Sequence, residues 1–337
     1  MAGSRLELVF GDAPPETRLL LIGAGRESDL DCFDPARTQV VQRHFPDVAW
    51  LKARGFAAVT QAQGDFDGGI VFLPRARAEA RARIAEAAAH LPPGASLWID
   101  GQKTDGVDSV LKELRGMAPV DGVQSRAHGK IFRLTLPEAG WFPGDWAAAD
   151  HQAAPGFVTR PGVFSADAPD PASVALAAHL PEKLPTRMVD LGAGWGWLAA
   201  QVLTRPGVET LHLIEADAVA LDCARRNVTD PRARFHWADA LDFRLPEPVN
   251  GLVMNPPFHD GRNADPALGA GFIRAAAGML TGAGRLWMVA NRHLPYEAVL
   301  REAFADVAEL GGDSRFKILT ATGARRASAK PARGRRR

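Results

Sequence analysis

Asp190-Leu191-Gly192-Ala193-Gly194-Trp195-Gly196 follows a predicted strand at Met188-Val189 and runs on into a helical stretch that ends near Leu203. A short buried strand, a turn crowded with glycines and then a helix form the opening of a βαβ unit. The glycines let the backbone turn tightly and let a ligand approach with no Cβ in the way. Their spacing, Gly-x-Gly-x-Gly, departs from the dinucleotide pattern Gly-x-Gly-x-x-Gly, whose loop receives a pyrophosphate.

An acid inside the turn, Asp190, would repel a pyrophosphate. It suits a cationic ligand carrying an amino group, such as the methionine end of S-adenosylmethionine. Glu215 ends the next predicted strand, Glu209–Ile214, and can accept from both hydroxyls of a ribose. Asp239 follows the third strand, Ala233–Trp237, placed to accept from an adenine amino group. Ligands of open α/β sheets bind beyond the carboxyl ends of the strands, and all three acids fall there. Asp190 and Glu215 acting only as helix caps is the plainer alternative; three acids at three successive strand ends weigh against it. The expected cofactor shell is Asp190, Gly192, Ala193, Gly194, Gly196, Glu215, Asp239 and Asn255.

Asn255 belongs to the second informative stretch, Asn255-Pro256-Pro257-Phe258-His259, at the end of a fourth strand, Asn250–Met254. Two prolines fix φ and stiffen the turn. That leaves the Asn255 side-chain oxygen and the Pro256 carbonyl as fixed acceptors, matched to the two N–H bonds of an exocyclic amine. Such a nitrogen is conjugated with its ring and a poor nucleophile. Holding its hydrogens out of the ring plane turns its lone pair toward a sulfonium methyl, and positioning of this kind lowers a barrier substantially. Asn255, Pro256 and Phe258 are the expected catalytic residues, and Pro257, Phe258 and His259 the expected substrate contacts. Phe258 can stack on a base, which must be unpaired or flipped to be reached. For His259, substrate contact and a loop cap are equally open. His212 and His236 lie in predicted strands and read as packed. Taken alone, the turn could equally pack an aromatic ring into the core; its order after the glycine loop favours function.

Working outward, strands and helices alternate from Arg187 to Thr320, with helices over Ala218–Asn227, Pro266–Leu280 and Pro295–Phe304, a fifth strand at Gly284–Ala290, and Arg315–Thr320 closing the sheet. A similar outline precedes it: strands at Arg18–Gly23, Gly69–Pro74, Ser96–Asp100 and Lys130–Leu136, and a helix over Ala76–His90. Lys130–Leu136 is the last strand of that half. Gly23-Ala24-Gly25 there resembles the second glycine loop, but no acid clearly ends a following strand, so it reads as a structural turn. The shared outline makes a duplication plausible. The expected divisions are a first domain at 1–137, a linker at 138–159, a catalytic domain at 160–323 and a disordered basic tail at 324–337.

Bulk composition agrees with an ordinary globular chain: 337 residues, 46% apolar and 23% charged. Cys32 and Cys223 lie far apart with no CxxC spacing, which argues against a zinc cluster and a disulfide framework and fits a cytoplasmic location. No apolar stretch is long enough to span a bilayer, and the N-terminus lacks a signal-peptide core. The net charge of +1 is uneven. Seven of the 40 basic residues fall in Arg325–Arg337, which holds no acid, leaving 33 against 39 acidic residues elsewhere. The body is therefore not a basic nucleic-acid binder by bulk charge, and attraction to a polyanion would come from the tail and local patches. For the tail itself, an idle solvated end and RNA capture are equally open.

Asp190–Gly194, Glu215, Asp239 and Asn255–His259, with Arg160-Pro161-Gly162-Val163-Phe164-Ser165 upstream, resemble the ribosomal RNA guanine-N2 methyltransferases, a family that includes the small-subunit methyltransferase C type and the large-subunit methyltransferase G type. Gly101–Ser109 in the first half is similar to the glycine-rich run of that family's degenerate domain. The resemblance implies an α/β fold of tandem class I, Rossmann-like domains, each a doubly wound, mostly parallel sheet with an antiparallel edge strand. It implies a first copy without cofactor that serves in stability or RNA binding, and a second that makes N2-methylguanosine in ribosomal RNA, 16S being expected, from S-adenosylmethionine. Phe164 joins the expected substrate contacts. Ribosomal RNA or a ribosomal subunit is the expected partner, with no membrane, no metal and a monomeric chain. Where the family carries a glycine before a serine, this chain has Asp170-Pro171-Ala172-Ser173. Methylation of adenine N6 or of a protein glutamine, which use a similar turn, and a non-catalytic ribosome-assembly binder are the competing readings.

Overall fold

The computed structural model describes residues 4–11, 16–138, 141–257, 259–260, 263–264 and 266–325. Two compact units carry the contacts: Met1–Gln152 with Val158–Asp167 and Asp217–Val219, and Ala153–Phe157 with Ala168–Ala216 and Ala220–Arg337.

The first unit holds strands β1 (Leu19–Ile22), β2 (Thr38–Val41), β3 (Ala57–Val59), β4 (Gly68–Phe72), β5 (Ser96–Gln102), β6 (Val120–Arg126) and β7 (Gly129–Thr135), and helices α1 (Arg5–Phe10), α2 (Phe45–Ala53), α3 (Arg77–Ala89) and α4 (Val107–Arg115). Their order is β3-β2-β1-β4-β5-β7-β6. All four residues of β1 are buried, as a central parallel strand covered on both faces requires. Val107, Val110, Leu111 and Leu114 give α4 one buried stripe at helical spacing. The stretch expected as a linker, 138–159, contains two short strands, β8 (His151–Ala154) and β9 (Phe157–Thr159). Arg160–Ser165, which the sequence assigns to the catalytic domain, clusters with the first unit. Arg43 explains this: its guanidinium donates to the Gly162 and Pro161 carbonyls at 2.5 and 3.3 Å.

The second unit holds β10 (Arg187–Leu191), β11 (Thr210–Glu215), β12 (Ala233–Trp237), β13 (Val249–Met254), a two-stranded pair of β14 (His259–Asp260) and β15 (Asn263–Ala264), then β16 (Leu280–Asn291), β17 (Phe304–Gly312) and β18 (Phe316–Ala324). Helices are α5 (Pro171–Ala178), α6 (Trp197–Leu203), α7 (Ala218–Asn227), α8 (Pro266–Met279) and α9 (Tyr296–Ala303). The sheet order, β12-β11-β10-β13-β16-β18-β17, repeats the permutation of the first unit. Side chains alternate across this sheet. Val189, Leu191, Leu252 and Met288 join a core with Ile273 of α8 and Leu300 of α9. Met188, Val253 and Trp287 join a second core with Leu176 of α5 and Leu198 of α6. Helices thus cover both faces, as the expected doubly wound fold requires.

The sheet edges differ from expectation. Arg315–Thr320 is expected to close its sheet, but β18 is inserted one place inside the edge, antiparallel to both neighbours, as β7 is in the first unit. The edge strands, β6 and β17, are largely exposed, and their apolar residues do not alternate along the chain, so no period of two marks them in the sequence. The ordered sheet also passes the boundary set at 323. Ala324 ends β18, and the Arg325 N–H donates to the Ala303 carbonyl at 2.8 Å. The rest of the expected tail, 326–337, lies outside the described residues.

Candidate active site

The order of strands in the second unit reverses at β10, with β11 on one side and β13 on the other, which opens a crevice beyond their carboxyl ends. The two central strands run parallel with Asp190 opposite Val253. That register delivers the glycine loop after Leu191 and the turn after Met254 to the same sheet edge, though 64 residues separate Leu191 from Asn255.

The loop is hooked onto the neighbouring strand. The N–H groups of Gly192 and Ala193 both donate to the Ile214 carbonyl, at 2.9 and 3.1 Å. This brings the Gly194 N–H to 2.7 Å from the Glu215 carboxylate. Gly194 has φ of 55°, and a Cβ there would meet nothing within 4 Å, so the loop borders open space. Gly196 has the opposite constraint. Its φ is 86°, and a Cβ would stand 2.9 Å from a methyl of Val228 and 3.2 Å from Ala224. Gly196→Ala is expected to cost roughly 1–3 kcal/mol through left-handed strain and overpacking. Thermal unfolding reads it as a lowered midpoint; an unchanged midpoint would show that the loop relaxes around the methyl.

Asp190 does not sit inside the turn, as the sequence suggested. It is a residue of β10, 1% exposed, on the face that α6 covers. The Ala199 backbone N–H of that helix bonds its carboxyl, while Oδ2 is buried with no partner. Burial first, and the nearby Glu215 carboxylate second, push its pKa up to about 8. The capping alternative therefore has support at Asp190, which also keeps an unsatisfied oxygen. At the start of α7 the Val219 N–H goes to Asp217 at 2.9 Å. Asp239 accepts from the Leu241 N–H at 2.9 Å and shapes the turn after β12.

At the end of β13, Asn255 is half-buried, Pro256 buried and Pro257 exposed. The Asn255 Nδ2 donates to Asp170 Oδ2 at 2.9 Å and to Ser173 Oγ at 3.0 Å. Neither partner was among the candidate residues. Asp170 caps α5, which has Pro171 at its first position, by accepting the Ser173 N–H at 2.9 Å. Its reach to a residue 85 positions later has no local signal. Phe258 lies outside the described residues, and of His259 only its backbone place in β14 is described. Phe164 belongs to the first unit, is 60% exposed and precedes Ser165, whose φ is 52°. His212 and His236 share one hydrogen bond of 2.9 Å between stacked rings. Burial pushes His212 down to about 4, which keeps that ring neutral near pH 7 and fits packing.

The first unit offers a contrast at its own glycine turn. Gly23 donates to Val41 as Gly192 does to Ile214. Leu21 stands two residues before Gly23, where Asp190 stands before Gly192, and Gln42 follows the second strand where Glu215 ends its own. The Gln42 Nε2 donates to the Ala24 carbonyl at 2.8 Å. The Arg83 guanidinium packs onto Gly23, within 1.9 Å of where a Cβ would be, and donates to the Phe72 carbonyl.

A sheet of this order, with a glycine loop, strand-end acids and an acceptor-bearing turn at its switch point, defines a class I S-adenosylmethionine-dependent methyltransferase. Comparison with known proteins narrows the class. Residues 155–320 match the methyltransferase small domain, and residues 7–142 its N-terminal counterpart. The ribosomal RNA small subunit methyltransferase C of Psychromonas ingrahamii is 30% identical over 321 residues, covering 93% of this chain and 91% of that protein. The protein of the same name from Hahella chejuensis is 31% identical over 269 residues, covering 76% and 78%. A solved structure, the T. thermophilus 16S rRNA N2 G1207 methyltransferase in complex with AdoMet and guanosine, superposes with a TM-score of 0.78 at 25% identity, over 95% of this chain and 93% of that one. The chain belongs to the ribosomal RNA small subunit methyltransferase C family, and is an S-adenosylmethionine-dependent rRNA methyltransferase. No helix among the described residues is long and apolar enough to cross a membrane.

Proposed function

We propose that this enzyme methylates the exocyclic N2 of a guanosine in 16S ribosomal RNA. One observation carries the reading: the acceptor-bearing turn at Asn255 emerges at the same sheet edge as the open space over Gly194. The relatives' names supply the RNA and the base.

The residues fit S-adenosylmethionine. Asp190 would offer an orphaned buried oxygen to a cationic amino group, and Glu215 a carboxylate to ribose hydroxyls. Gly192, Ala193, Gly194 and Gly196 leave backbone room, and Asp239 and Asn255 complete the shell. When bound, the cofactor would supply an electrophilic methyl group on sulfur, with the thioether as leaving group. Asn255 Oδ1 and the Pro256 carbonyl accept the two amine hydrogens and aim the nitrogen lone pair at that methyl. The methylated nitrogen then loses a proton to water, since its acidity rises on alkylation. Pro257, Phe258 and His259 are the proposed contacts to the base, and Phe164 a further proposed substrate contact. The first unit is proposed to work without cofactor, since Leu21 and Gln42 stand where the second unit has Asp190 and Glu215, and Arg83 packs onto Gly23. The proposed enzyme acts as a cytoplasmic monomer without a metal.

Nucleoside analysis of ribosomal RNA tests this reading. In cells lacking the protein, one N2-methylguanosine should disappear from the small-subunit RNA and return on complementation. Loss of N6-methyladenosine instead, or methyl label appearing only in protein, would replace it with the corresponding competitor.

A further inference from the structure

Asn255 can act as an acceptor only if its amide faces the right way. An amide carries an oxygen and an NH2 on similar arms, and a half-turn about its last torsion exchanges them. In one orientation the substrate amine meets an acceptor; in the other it meets two donors and is repelled. Something must set that choice, because neither the strand nor the two prolines act on this torsion.

We propose that Asp170, assisted by Ser173, is a positioning residue that locks the Asn255 amide with its oxygen toward the substrate amine. The proposal rests on the amine-clamp reading above. Both Nδ2 hydrogens are consumed: one by Asp170 Oδ2 at 2.9 Å, the other by Ser173 Oγ at 3.0 Å. A flipped amide would bring its oxygen to within hydrogen-bond distance of a carboxylate oxygen with no proton between them. The support is itself stiff. Asp170 Oδ2 also takes the Ser173 N–H at 2.9 Å, and the Asp170 carbonyl takes the Val174 N–H at 3.0 Å. The helix they start is anchored by Leu176, fully buried in the core beneath. One carboxylate oxygen thus caps a helix and orients an amide 85 residues away.

Asp170→Ser and Asp170→Asn separate the two tasks. Serine and asparagine are both strong N-caps, so each variant should fold. Asparagine keeps an acceptor at the reach of the original carboxylate; serine is too short to reach Asn255. Asp170→Ser is expected to lower kcat by about tenfold or more, on the scale set by small misplacements of reacting groups. Its S-adenosylmethionine affinity by calorimetry and its thermal midpoint should stay near wild type. Asp170→Asn should restore kcat to within about threefold of wild type, because the neutral oxygen still accepts. Ser173→Ala, which leaves the cap carboxylate in place, should lower kcat by a smaller factor and serves if Asp170→Ser does not fold. Wild-type kcat in Asp170→Ser and Ser173→Ala, with Asn255→Ala inactive, would overturn the positioning role and leave the clamp standing. Near-normal turnover in Asn255→Ala would remove the clamp itself. Equal losses in Asp170→Ser and Asp170→Asn, tracking a lowered midpoint, would reduce Asp170 to a helix cap.

Discussion

Asn255→Ala lowers kcat by an expected 10²- to 10³-fold, roughly the effect of removing one preorganised hydrogen-bonding group that acts on charge developing in a transition state. The nucleophile is a conjugated amine, and its nitrogen gains positive charge as the methyl arrives. An acceptor on its N–H bond therefore strengthens during the reaction, which is the kind of contact that raises kcat. The Pro256 carbonyl remains, so the loss should be partial. Affinity for S-adenosylmethionine should change by less than about tenfold, because one side chain among several contacts is removed. Single-turnover methyl transfer and cofactor calorimetry, done together, read both quantities. Near-normal turnover would mean that the amine is held by other groups.

Asp190 gives the second large effect, and it is a pH effect. Its carboxyl titrates near 3.9 in an unfolded chain and is pushed up to about 8 in the folded one, by burial and then by Glu215. Between those values the folded protein holds a proton that the unfolded chain has released. The contribution to stability is fully present below about pH 4 and is lost as pH rises through about 8. Asp190→Asn should remove that slope, measured as the difference between variant and wild type in denaturant unfolding from pH 4 to 9. Cofactor binding draws on the same group. A cationic amino group beside Oδ2 favours the ionised carboxylate, so wild type should release more protons than Asp190→Asn on binding S-adenosylmethionine at pH 7. Calorimetry in two buffers of different ionisation enthalpy measures the difference. The variant should also bind the cofactor about tenfold to a hundredfold more weakly, the range for a hydrogen bond to a charged group. Equal proton release in both proteins would show that Asp190 keeps one protonation state throughout.

Much of the second unit was legible in the chain. Ala218–Asn227 and Ala233–Trp237 are expected with the bounds they have, because apolar runs and helical spacing are local signals. The first unit was harder to read. β2, β3 and β6 went unmarked, as short or polar strands carry little alternation. At the site, the glycine loop and the turn at Asn255 were found from spacing, while the depth of Asp190 was not: the same residue types describe an acid in a loop and an acid at the buried end of a strand.

The chain alone determined that two α/β halves follow one another, that one of them carries a glycine loop with acids at its strand ends, and that Asn255-Pro256-Pro257 comes after it. Each of these is written within a few consecutive residues, where backbone stiffness and side-chain period act directly. Folding decided the rest. Parallel pairing of β10 with β13 sets the loop and the turn on one edge, burial lifts the Asp190 pKa, and α5 carries Asp170 to the Asn255 amide. Those outcomes depend on which distant groups meet and how much water is left between them, and neither quantity is a property of any short stretch of sequence.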